Sequence, residues 1–372
     1  MLVKTLKLQN FRNIAKAVIE FDEKINIITG KNGQGKTSVL ESLYYLALTK
    51  SFREKADKVV LQHNKEFFNI EGTFLSDRKE ELTLRLYFSD IEGKHLFFNK
   101  KKVNRFSEMI GRLPVILLSL EDLSLTYGVP QYRRRFLDIL LSQVNPLYLQ
   151  ALQYYKRNIM QRNQILSLIS EGTEKIDALF PWDVQLIQYG SEIIFNRLQF
   201  VRFMNDHLQD NYRQISEEDE KIEVRYKTFL KNADDQITID SIQEQYESKL
   251  SATYRDDIKR QNTLIGPHRD DLLFFKDGFL LKSYGSQGEN KTFLIALKFV
   301  ESAYLKKKNN EIPIFLLDDI FGELDTERIR HLLSYLIREG QTFVTTTLKE
   351  KFNTLHLKEE NFIKIKNGRM VH

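Results

Sequence analysis

The chain has 372 residues, of which 42% are hydrophobic and 29% are charged, and its formal net charge is +5. This length predicts more than one hydrophobic core, since single cores rarely grow beyond about 250–300 residues. No apolar run approaches the roughly 18–20 residues that span a bilayer, so a membrane partner is not expected. The chain has no cysteine, which excludes disulfides, iron–sulfur clusters and thiolate zinc sites. The mild net charge does not by itself indicate nucleic-acid binding.

The first 50 or so residues predict an α/β arrangement. The N-terminus alternates leucine with polar residues and lacks a secretory apolar segment, so we expect a first strand and a cytoplasmic protein. Val18–Phe21 and Ile25–Thr29 predict two strands that residues 22–24 join as in a hairpin. After a Gly-rich segment, the apolar side chains of residues 39–47 recur at helical spacing.

The Gly-rich segment matches the P-loop pattern in full. Gly30, four residues, Gly35, Lys36 and Thr37 follow in order between a strand and a helix. In such a loop backbone N–H groups surround the phosphates, the lysine adds charge and the threonine ligates Mg²⁺. A chance Gly-rich turn before a helix is the less favoured alternative. The predicted cofactors are ATP and Mg²⁺, and the predicted ATP-binding residues of this loop are Gly30, Lys31, Asn32, Gly33, Gln34, Gly35, Lys36, Thr37 and Ser38.

The middle of the chain changes character twice. Strands at Phe67–Phe74, Glu81–Phe88 and Lys94–Phe98 predict an antiparallel meander. A basic run, Lys100, Lys101 and Lys102, follows, and it fits either a solvated turn or a patch that contacts DNA phosphates. A buried strand is predicted at Val115–Leu118, and residues 131–208 are helical almost throughout.

An acidic pair at the end of a buried strand is expected to complete the phosphate site. Ile314–Leu317 predicts the strand, and Asp318 and Asp319 stand at its carboxyl end, where open α/β sheets place ligands. Asp318, together with Thr37, would hold Mg²⁺, and Asp319 would orient the attacking water. A pair of helix N-caps is the alternative. The predicted catalytic residues are Asp319, Asp318 and Lys36.

Some 280 residues separate the P-loop from this acidic pair, and the intervening chain must leave the sheet and return to it. ATPases of the ABC and SMC class have that arrangement. The predicted fold is an α/β P-loop ATPase head (ABC/SMC-like), with an antiparallel β subdomain and an inserted, mainly helical second lobe. The expected boundaries are 1–125 and 265–372 for the ATPase lobe and 126–264 for the inserted lobe.

Residues 284–289 resemble the signature segment with which ATPases of this class contact the γ-phosphate of a dimer partner. Ser286 would donate to a phosphate oxygen, and Gly288 would allow close approach. Glu289 stands where a glutamine is usual, so we expect its side chain to point away from the phosphates. Read without this context, Ser286 predicts only a helix N-cap.

Two further segments bear on dimerisation and on the rate of hydrolysis. Residues 323–325 resemble the loop at the dimer interface of these ATPases. Thr345–Thr347 end the next strand, where many transporters carry a histidine. Together with Asp319 in place of the commoner glutamate, they predict slow hydrolysis, because small misplacements of a catalytic group cost large factors in rate.

The chain resembles the RecF family over nearly its whole length. The resemblance rests on residues 10–13, 120–122, 128–138, 161–163, 182–183 and 266–271, although Leu120 stands where the family usually has proline. It implies a protein of DNA replication and repair that recognises double-stranded and gapped DNA, forms an ATP-dependent homodimer, and acts with RecR and RecO. By the same resemblance Arg12 would approach the ATP phosphates, although a surface arginine fits equally well. Arg133 and Arg134 are candidates for DNA or interface contacts, with a pairing to Asp138 as the alternative.

The main functional hypothesis is therefore an ATP-gated DNA clamp of recombinational repair, with weak DNA-dependent ATPase activity. The alternative is a scaffold that binds ATP and repair proteins with little DNA contact of its own. A small-molecule phosphotransferase is a remote third option, since it would not need a signature segment.

Overall fold

The structure, a computed structural model, describes residues 1–216, 219–231, 237–322, 326–348, 352 and 359–371. No helix within these ranges is long and apolar enough to cross a membrane. The strands are β1 (Leu2–Phe11), β2 (Ile14–Glu20), β3 (Ile25–Thr29), β4 (Phe67–Leu75), β5 (Glu81–Ser89), β6 (Gly93–Phe98), β7 (Lys101–Lys102), β8 (Val115–Ser119), β9 (Ile222–Lys227), β10 (Asp271–Lys276), β11 (Phe279–Leu280), β12 (Ile314–Asp318), β13 (Thr342–Thr346), β14 (Phe362–Lys366) and β15 (Arg369–Val371). The helices are α1 (Lys36–Leu48), α2 (Ser124–Tyr127), α3 (Pro130–Val144), α4 (Pro146–Ser170), α5 (Phe180–Ser216), α6 (Ile239–Arg260), α7 (Leu281–Tyr284), α8 (Gln287–Asn309) and α9 (Thr326–Glu339).

The chain forms two compact units. The first comprises Met1–Leu123 and Lys291–His372, and the second comprises Ser124–Asn290. The predicted inserted lobe, residues 126–264, differs from this division mainly at its end. Strand β10 pairs along its whole length with β9 of the second unit, so residues 265–290 belong to the inserted unit. The sequence did not indicate this pairing, because the two strands lie far apart along the chain.

A mostly parallel sheet lies in the first unit, with strand order β15-β14-β3-β13-β12-β8. Four consecutive residues are buried in both β3 and β12, as expected for strands covered on both faces. Strand β13 lies between them and pairs parallel with each. The carboxyl ends of β3 and β12 therefore meet at one edge of the sheet, as predicted for the P-loop and the acidic pair.

A second, antiparallel sheet of the first unit has the strand order β2-β1-β4-β5-β6-β7. The predicted meander is confirmed in β4, β5 and β6, and it continues the pairing of β1 with β2. The expected hairpin between the second and third strands is wrong, because β2 belongs to this sheet and β3 to the parallel one. Gln341, next to β13, links the two sheets by accepting from Val3 N–H at 2.6 Å and donating to Asp22 O at 2.7 Å.

The second unit packs α3–α6 with a small sheet of strand order β11-β10-β9. A buried ion cluster joins three of its helices. Arg162 of α4 donates to Asp183 of α5 and to Asp257 of α6, each at 2.7 Å, and to the Thr263 hydroxyl at 2.8 Å. The Arg162 and Asp257 side chains have no exposed surface. A buried pair of this kind fixes the helix arrangement, since losing one member leaves an uncompensated charge.

Two sets of hydrogen bonds between aromatic and titratable side chains lie in the same unit. His268 Nε2 lies 3.0 Å from Thr263 O, so it carries the proton and donates, while Nδ1 accepts from the Tyr155 hydroxyl at 2.7 Å. Burial lowers the pKa of His268 to about 4. The Tyr226 hydroxyl donates to Asp270 at 2.6 Å, and burial raises the pKa of Asp270 to about 6.

Candidate nucleotide-binding site

The P-loop runs from β3 into the N-terminus of α1. Gly35 precedes the helix with φ of 108°, and no side chain caps the helix N-terminus. A Cβ on Gly35 would lie 2.8 Å from Asn13 Oδ1, and one on Gly30 would lie 2.5 Å from Ile365 O. Both glycines are required by backbone angle and by space. The uncapped N–H groups of α1 form the kind of anion site that phosphates occupy.

The Lys36 side chain is hydrogen-bonded to backbone carbonyls of the P-loop itself. Its ammonium donates to Gly30 O at 2.9 Å and to Lys31 O at 3.1 Å, and the residue is only 6% exposed. Burial lowers the pKa of Lys36, an effect that the charges of Asp319 and Asp318 oppose. Backbone carbonyls of the loop therefore satisfy the ammonium in this structure.

A hydrogen bond connects the P-loop to the acidic pair, which were predicted to lie together. The Thr37 hydroxyl donates to Asp318 Oδ1 at 2.8 Å, across 281 residues of sequence. The Thr345 hydroxyl donates to the same oxygen at 2.7 Å. Thr345 at the end of β13 thus has a role that sequence reasoning did not assign to it, since it positions the Asp318 carboxylate.

Asp319 has a strained backbone, with φ of 52°. Its N–H donates to the Thr345 hydroxyl at 3.0 Å, and its side chain lines the P-loop cleft. Burial raises the pKa of Asp319, Lys36 opposes that rise and Asp318 adds to it. A half-buried carboxylate near a lysine and at the end of a strand is suitable as a general base.

An open cleft of about 660 Å³ is lined by the P-loop and by Asp319. Asn13 lies at its wall, where its side chain donates to Gly33 O at 2.9 Å and accepts from the Ser38 hydroxyl at 3.2 Å. Sequence reasoning included Asn13 only as part of a family segment and gave it no contact. The residues lining the cleft are Arg12, Asn13, Asn32, Gly33, Gly35, Lys36, Thr37, Ser38, Arg53, Val59, Leu61, Gln62, His63 and Asp319.

Arg12 lies at this cleft, but its guanidinium has partners of its own. Nε and Nη2 donate to the two carboxylate oxygens of Glu41 at 2.9 and 2.5 Å. Glu41 is fully buried in α1, so this bidentate pair compensates a charge that would otherwise be costly. Arg12 lies beside the predicted phosphate site and also anchors the helix that carries the P-loop.

The donor set fits Mg²⁺. Thr37 and Asp318 offer one hydroxyl and one carboxylate at adjoining points, and Mg²⁺ is typically held by one or two such ligands together with substrate phosphates and water. Across the described ranges, no group of three or more His, Cys, Asp or Glu side chains could hold a metal ion. The chain therefore offers a partial site of the kind that nucleotide phosphates complete.

The signature segment belongs to the second unit. Ser286 and Glu289 form a capping box at the start of α8: Ser286 N–H donates to Glu289 Oε2 at 2.6 Å, and Glu289 N–H donates to Ser286 Oγ at 3.2 Å. The Glu289 carboxylate turns back onto the Ser286 backbone and also accepts from Lys276 at 2.6 Å; that it points away from the phosphates stays a prediction. Ser286 itself is exposed. The similar loop at residues 323–325 lies outside the described residues.

The candidate DNA contacts divide sharply by exposure. Lys100, Lys101 and Lys102 are exposed at the tight turn into β7. Arg133 is only 4% exposed, and it donates to both oxygens of Asp271 at 2.7 and 2.9 Å, so its prediction as a DNA contact is wrong. Arg134 is half-buried and donates to Asp270 O at 2.8 Å. The sequence could not reveal Asp271 as the partner of Arg133, since 138 residues separate them.

A family model described as RecF/RecN/SMC N terminal domain matches residues 2–370. The chain is 40% identical over 349 residues to the DNA replication and repair protein RecF of Chloroherpeton thalassium, a match that covers 93% of this chain and 95% of that protein. The chain belongs to the RecF family. It is also 35% identical over 369 residues to the Bacillus cereus (strain G9842) protein of that name, covering 99% and 98% of the two chains.

Solved structures agree with this family and with the predicted fold. A structure of the recombination mediator protein RecF with ATP, from the RecFOR pathway, is 28% identical with a TM-score of 0.91, covering 100% of this chain and 97% of that one. The Smc head domain of Pyrococcus furiosus has a TM-score of 0.57 at 14% identity, over 99% of this chain and 95% of that one, which shows a likeness of fold alone. The predicted ABC/SMC-like ATPase head and the resemblance to RecF are both confirmed.

Proposed function

We propose that the chain is an ATP-dependent DNA-binding protein of recombinational repair and replication restart, with a slow ATPase. The hydrogen bond between Thr37 and Asp318 carries this proposal, because it joins a phosphate loop and an acidic strand end from opposite ends of the chain. The RecF relatives support it through their description as DNA replication and repair proteins. The RecF structure with ATP supports the choice of nucleotide.

In the proposed site each group acts on the triphosphate. Backbone N–H groups of the loop and of the α1 N-terminus hold the phosphates, and Lys36 leaves its carbonyl partners to contact the γ-phosphate. When bound, Mg²⁺ neutralises charge on the phosphate oxygens, and Thr37 and Asp318 would hold it. Asp319 accepts a proton from the attacking water. Its side chain is one methylene shorter than glutamate and lies farther from that water, which favours slow hydrolysis.

Ser286 is proposed to act on the ATP of a second copy of the chain. Its oxygen accepts a bond from Glu289 N–H, so its own hydroxyl hydrogen can be donated to a phosphate oxygen. The capping box holds this exposed hydroxyl in place at the start of α8. Two chains would then enclose two ATP molecules, with Lys36 of one and Ser286 of the other on the same γ-phosphate, and hydrolysis would release the dimer.

The ATP-bound dimer is proposed to hold double-stranded or gapped DNA and to help load recombinase with RecR and RecO, in the cytoplasm and on the nucleoid. The exposed run Lys100–Lys102 supports a contact with phosphates. If about 6–10 phosphates are covered, the affinity for DNA should fall roughly 10³–10⁵-fold between 50 and 200 mM salt. A flat salt response would argue against that footprint.

Sedimentation velocity of the protein with a labelled duplex, with and without Mg-ATP, tests the proposal. We expect a DNA-bound dimer only with Mg-ATP, and we expect Asp319→Asn to trap it. Ser286→Arg should bind ATP normally yet fail to dimerise, whereas unchanged dimerisation would exclude the role of Ser286 in trans. A monomer on DNA in both conditions, with no effect of Asp319→Asn, would support a scaffold that binds ATP and repair proteins instead.

A further inference from the structure

The turn between β14 and β15 lies beside the P-loop in the first unit. Strand β14 pairs parallel with β3, the strand that leads into the loop, and a Cβ on Gly30 would lie 2.5 Å from Ile365 O of β14. The turn itself consists of Asn367 and Gly368, with φ of 50° and 69°, which is the Asn-Gly form that two-residue hairpins favour. Strand pairing therefore places this turn next to the loop.

Two hydrogen bonds join the turn to the middle of the P-loop. Gly368 N–H donates to Gln34 O at 3.1 Å, and Asn367 N–H donates to Gln34 Oε1, across 333 residues of sequence. The hydrogen bond that closes a β-turn uses neither of these N–H groups, so both are available to Gln34. The turn thus holds Gln34 by its backbone and by its side chain at once.

The bond from Gly368 fixes the direction of the peptide that joins Gln34 to Gly35. The described residues contain no cis peptide bond, and in a planar trans peptide the C=O and N–H groups point in opposite directions. Because the Gln34 carbonyl faces the turn, the Gly35 N–H faces away from the turn. Gly35 lines the cleft, and the N–H groups of a P-loop are the groups that surround phosphates.

The same turn packs against Asn13, which holds the loop from the side of β1 and β2. The Asn13 side chain donates to Gly33 O at 2.9 Å. A Cβ on Gly368, which is buried, would lie 2.1 Å from Asn13 O. Glycine is therefore required here by space as well as by backbone angle, and a larger residue would displace the turn from Asn13 and from Gln34.

We propose that Asn367 and Gly368 are positioning residues of the nucleotide site, which hold the P-loop in its phosphate-binding form before ATP arrives. This inference rests on the proposed ATP site and deepens it. A loop that is already ordered loses less conformational freedom on binding than a loop that the ligand must order. Removing one of the two hydrogen bonds to Gln34 should therefore weaken ATP binding roughly three- to tenfold, the range that one hydrogen bond typically contributes.

Two variants break the contact from opposite sides, and isothermal titration calorimetry with Mg-ATP measures the result. Gln34→Met keeps the length of the side chain but removes the oxygen that accepts from Asn367. Gly368→Ala adds the Cβ that displaces the turn. Both should raise the Kd for ATP at unchanged stoichiometry, and in steady-state hydrolysis both should raise the KM for ATP by a larger factor than they lower kcat.

Gly93→Ala is the matched control. Gly93 lies at the start of β6 with φ of 74°, and a Cβ there would have nothing within 4 Å among the described residues. This variant therefore carries the same backbone strain as Gly368→Ala without touching the P-loop, and it should keep the wild-type Kd.

The outcomes separate this inference from the proposed function. A misfolded fraction lowers the stoichiometry and leaves the Kd of the folded chains unchanged, so it cannot imitate the expected result. A wild-type Kd at full stoichiometry in Gln34→Met or in Gly368→Ala overturns the inference, and so does an equal loss of affinity in Gly93→Ala. Should Gly368→Ala fail to fold, Gln34→Met decides alone. Lys36→Ala should abolish ATP binding, and full binding by it would overturn the proposed function as well.

Discussion

His268 and Asp270 of the second unit titrate in opposite senses as the pH falls. Burial lowers the pKa of His268 from 6.5 to about 4 and raises the pKa of Asp270 from 3.8 to about 6. The stabilisation linked to His268 is fully present above pH 6.5 and is lost as the pH falls toward 4. That linked to Asp270 is fully present below pH 3.8 and is lost as the pH rises through 6. Between pH 7 and pH 5 the two effects oppose each other.

Their sizes follow from the same pKa values. From pH 7 to pH 5 the neutral His268 costs the folded state about 2 kcal/mol relative to the unfolded chain, which takes up a proton more readily. Over the same interval Asp270 adds about 1 kcal/mol, because its carboxyl is protonated in the folded state first. The two effects should therefore nearly cancel in the wild-type chain, so that this pair changes the free energy of unfolding of the second unit little between pH 7 and pH 5. Each single variant should reveal the effect of the residue that remains.

The two variants should thus respond to acid with opposite signs. His268→Gln should make the second unit more stable at pH 5 than at pH 7, by about 1 kcal/mol. Asp270→Asn should make it less stable at pH 5, by about 2 kcal/mol. Urea unfolding followed by tryptophan fluorescence measures this directly, since Trp182 is the single tryptophan of the chain and lies in α5 of this unit.

The control is Asp256→Asn, which changes an exposed carboxylate one residue from the buried Asp257 and should follow the wild-type pH response. The reasoning is refuted if His268→Gln and Asp270→Asn shift with the same sign between pH 7 and pH 5. It is refuted equally if neither variant differs from the wild type, because burial would then not have moved either pKa.

Three other perturbations follow from single contacts of the structure. Arg133→Met leaves Asp271 without its bidentate partner and should destabilise the second unit by about 3–5 kcal/mol, measured by urea unfolding; a change under 1 kcal/mol would contradict a structural role. Lys101→Ala should instead lower the salt slope of DNA binding by about 1 without changing stability, and an unchanged slope in a filter-binding series would remove it from the DNA surface. Asp318→Asn should weaken the dependence of ATP affinity on Mg²⁺ in calorimetry, since a charged ligand becomes neutral; full dependence would place the metal elsewhere.

Local patterns in the sequence were sufficient to predict which residues come together at the candidate nucleotide site. The P-loop glycines and Lys36 lie close together along the chain. The four apolar residues before Asp318 indicate a buried strand even when its neighbouring strands are not known. The pairing of Thr37 with Asp318 could then be inferred, because parallel strands bring their carboxyl ends to one edge of the sheet. Each of these inferences depends on a stretch of fewer than about ten residues and a known backbone geometry.

Predictions that depended on distant partners were less successful. Arg133 was interpreted as a candidate for DNA or interface contacts, since cations at a helix N-terminus are unfavourable, yet Asp271 of β10 compensates that charge. The hairpin expected after β2 failed for a related reason. Residues 22–24 fit a tight turn between neighbouring strands, whereas Gln341 and the parallel pairing of β3 with β13 place the next strand in another sheet.

The backbone conformation at Asp319 does not by itself require an aspartate. A φ of 52° lies in the left-handed region, where glycine is unstrained and asparagine is well tolerated. Glycine or asparagine could adopt this φ, and neither would place a negative charge near Lys36. The aspartate adds a carboxylate whose pKa burial raises, at a backbone cost that the neighbouring contact with Thr345 helps to offset. Strain and a perturbed carboxylate at the same residue, at the end of β12 and within the P-loop cleft, are the combination expected of a group that takes part in the reaction.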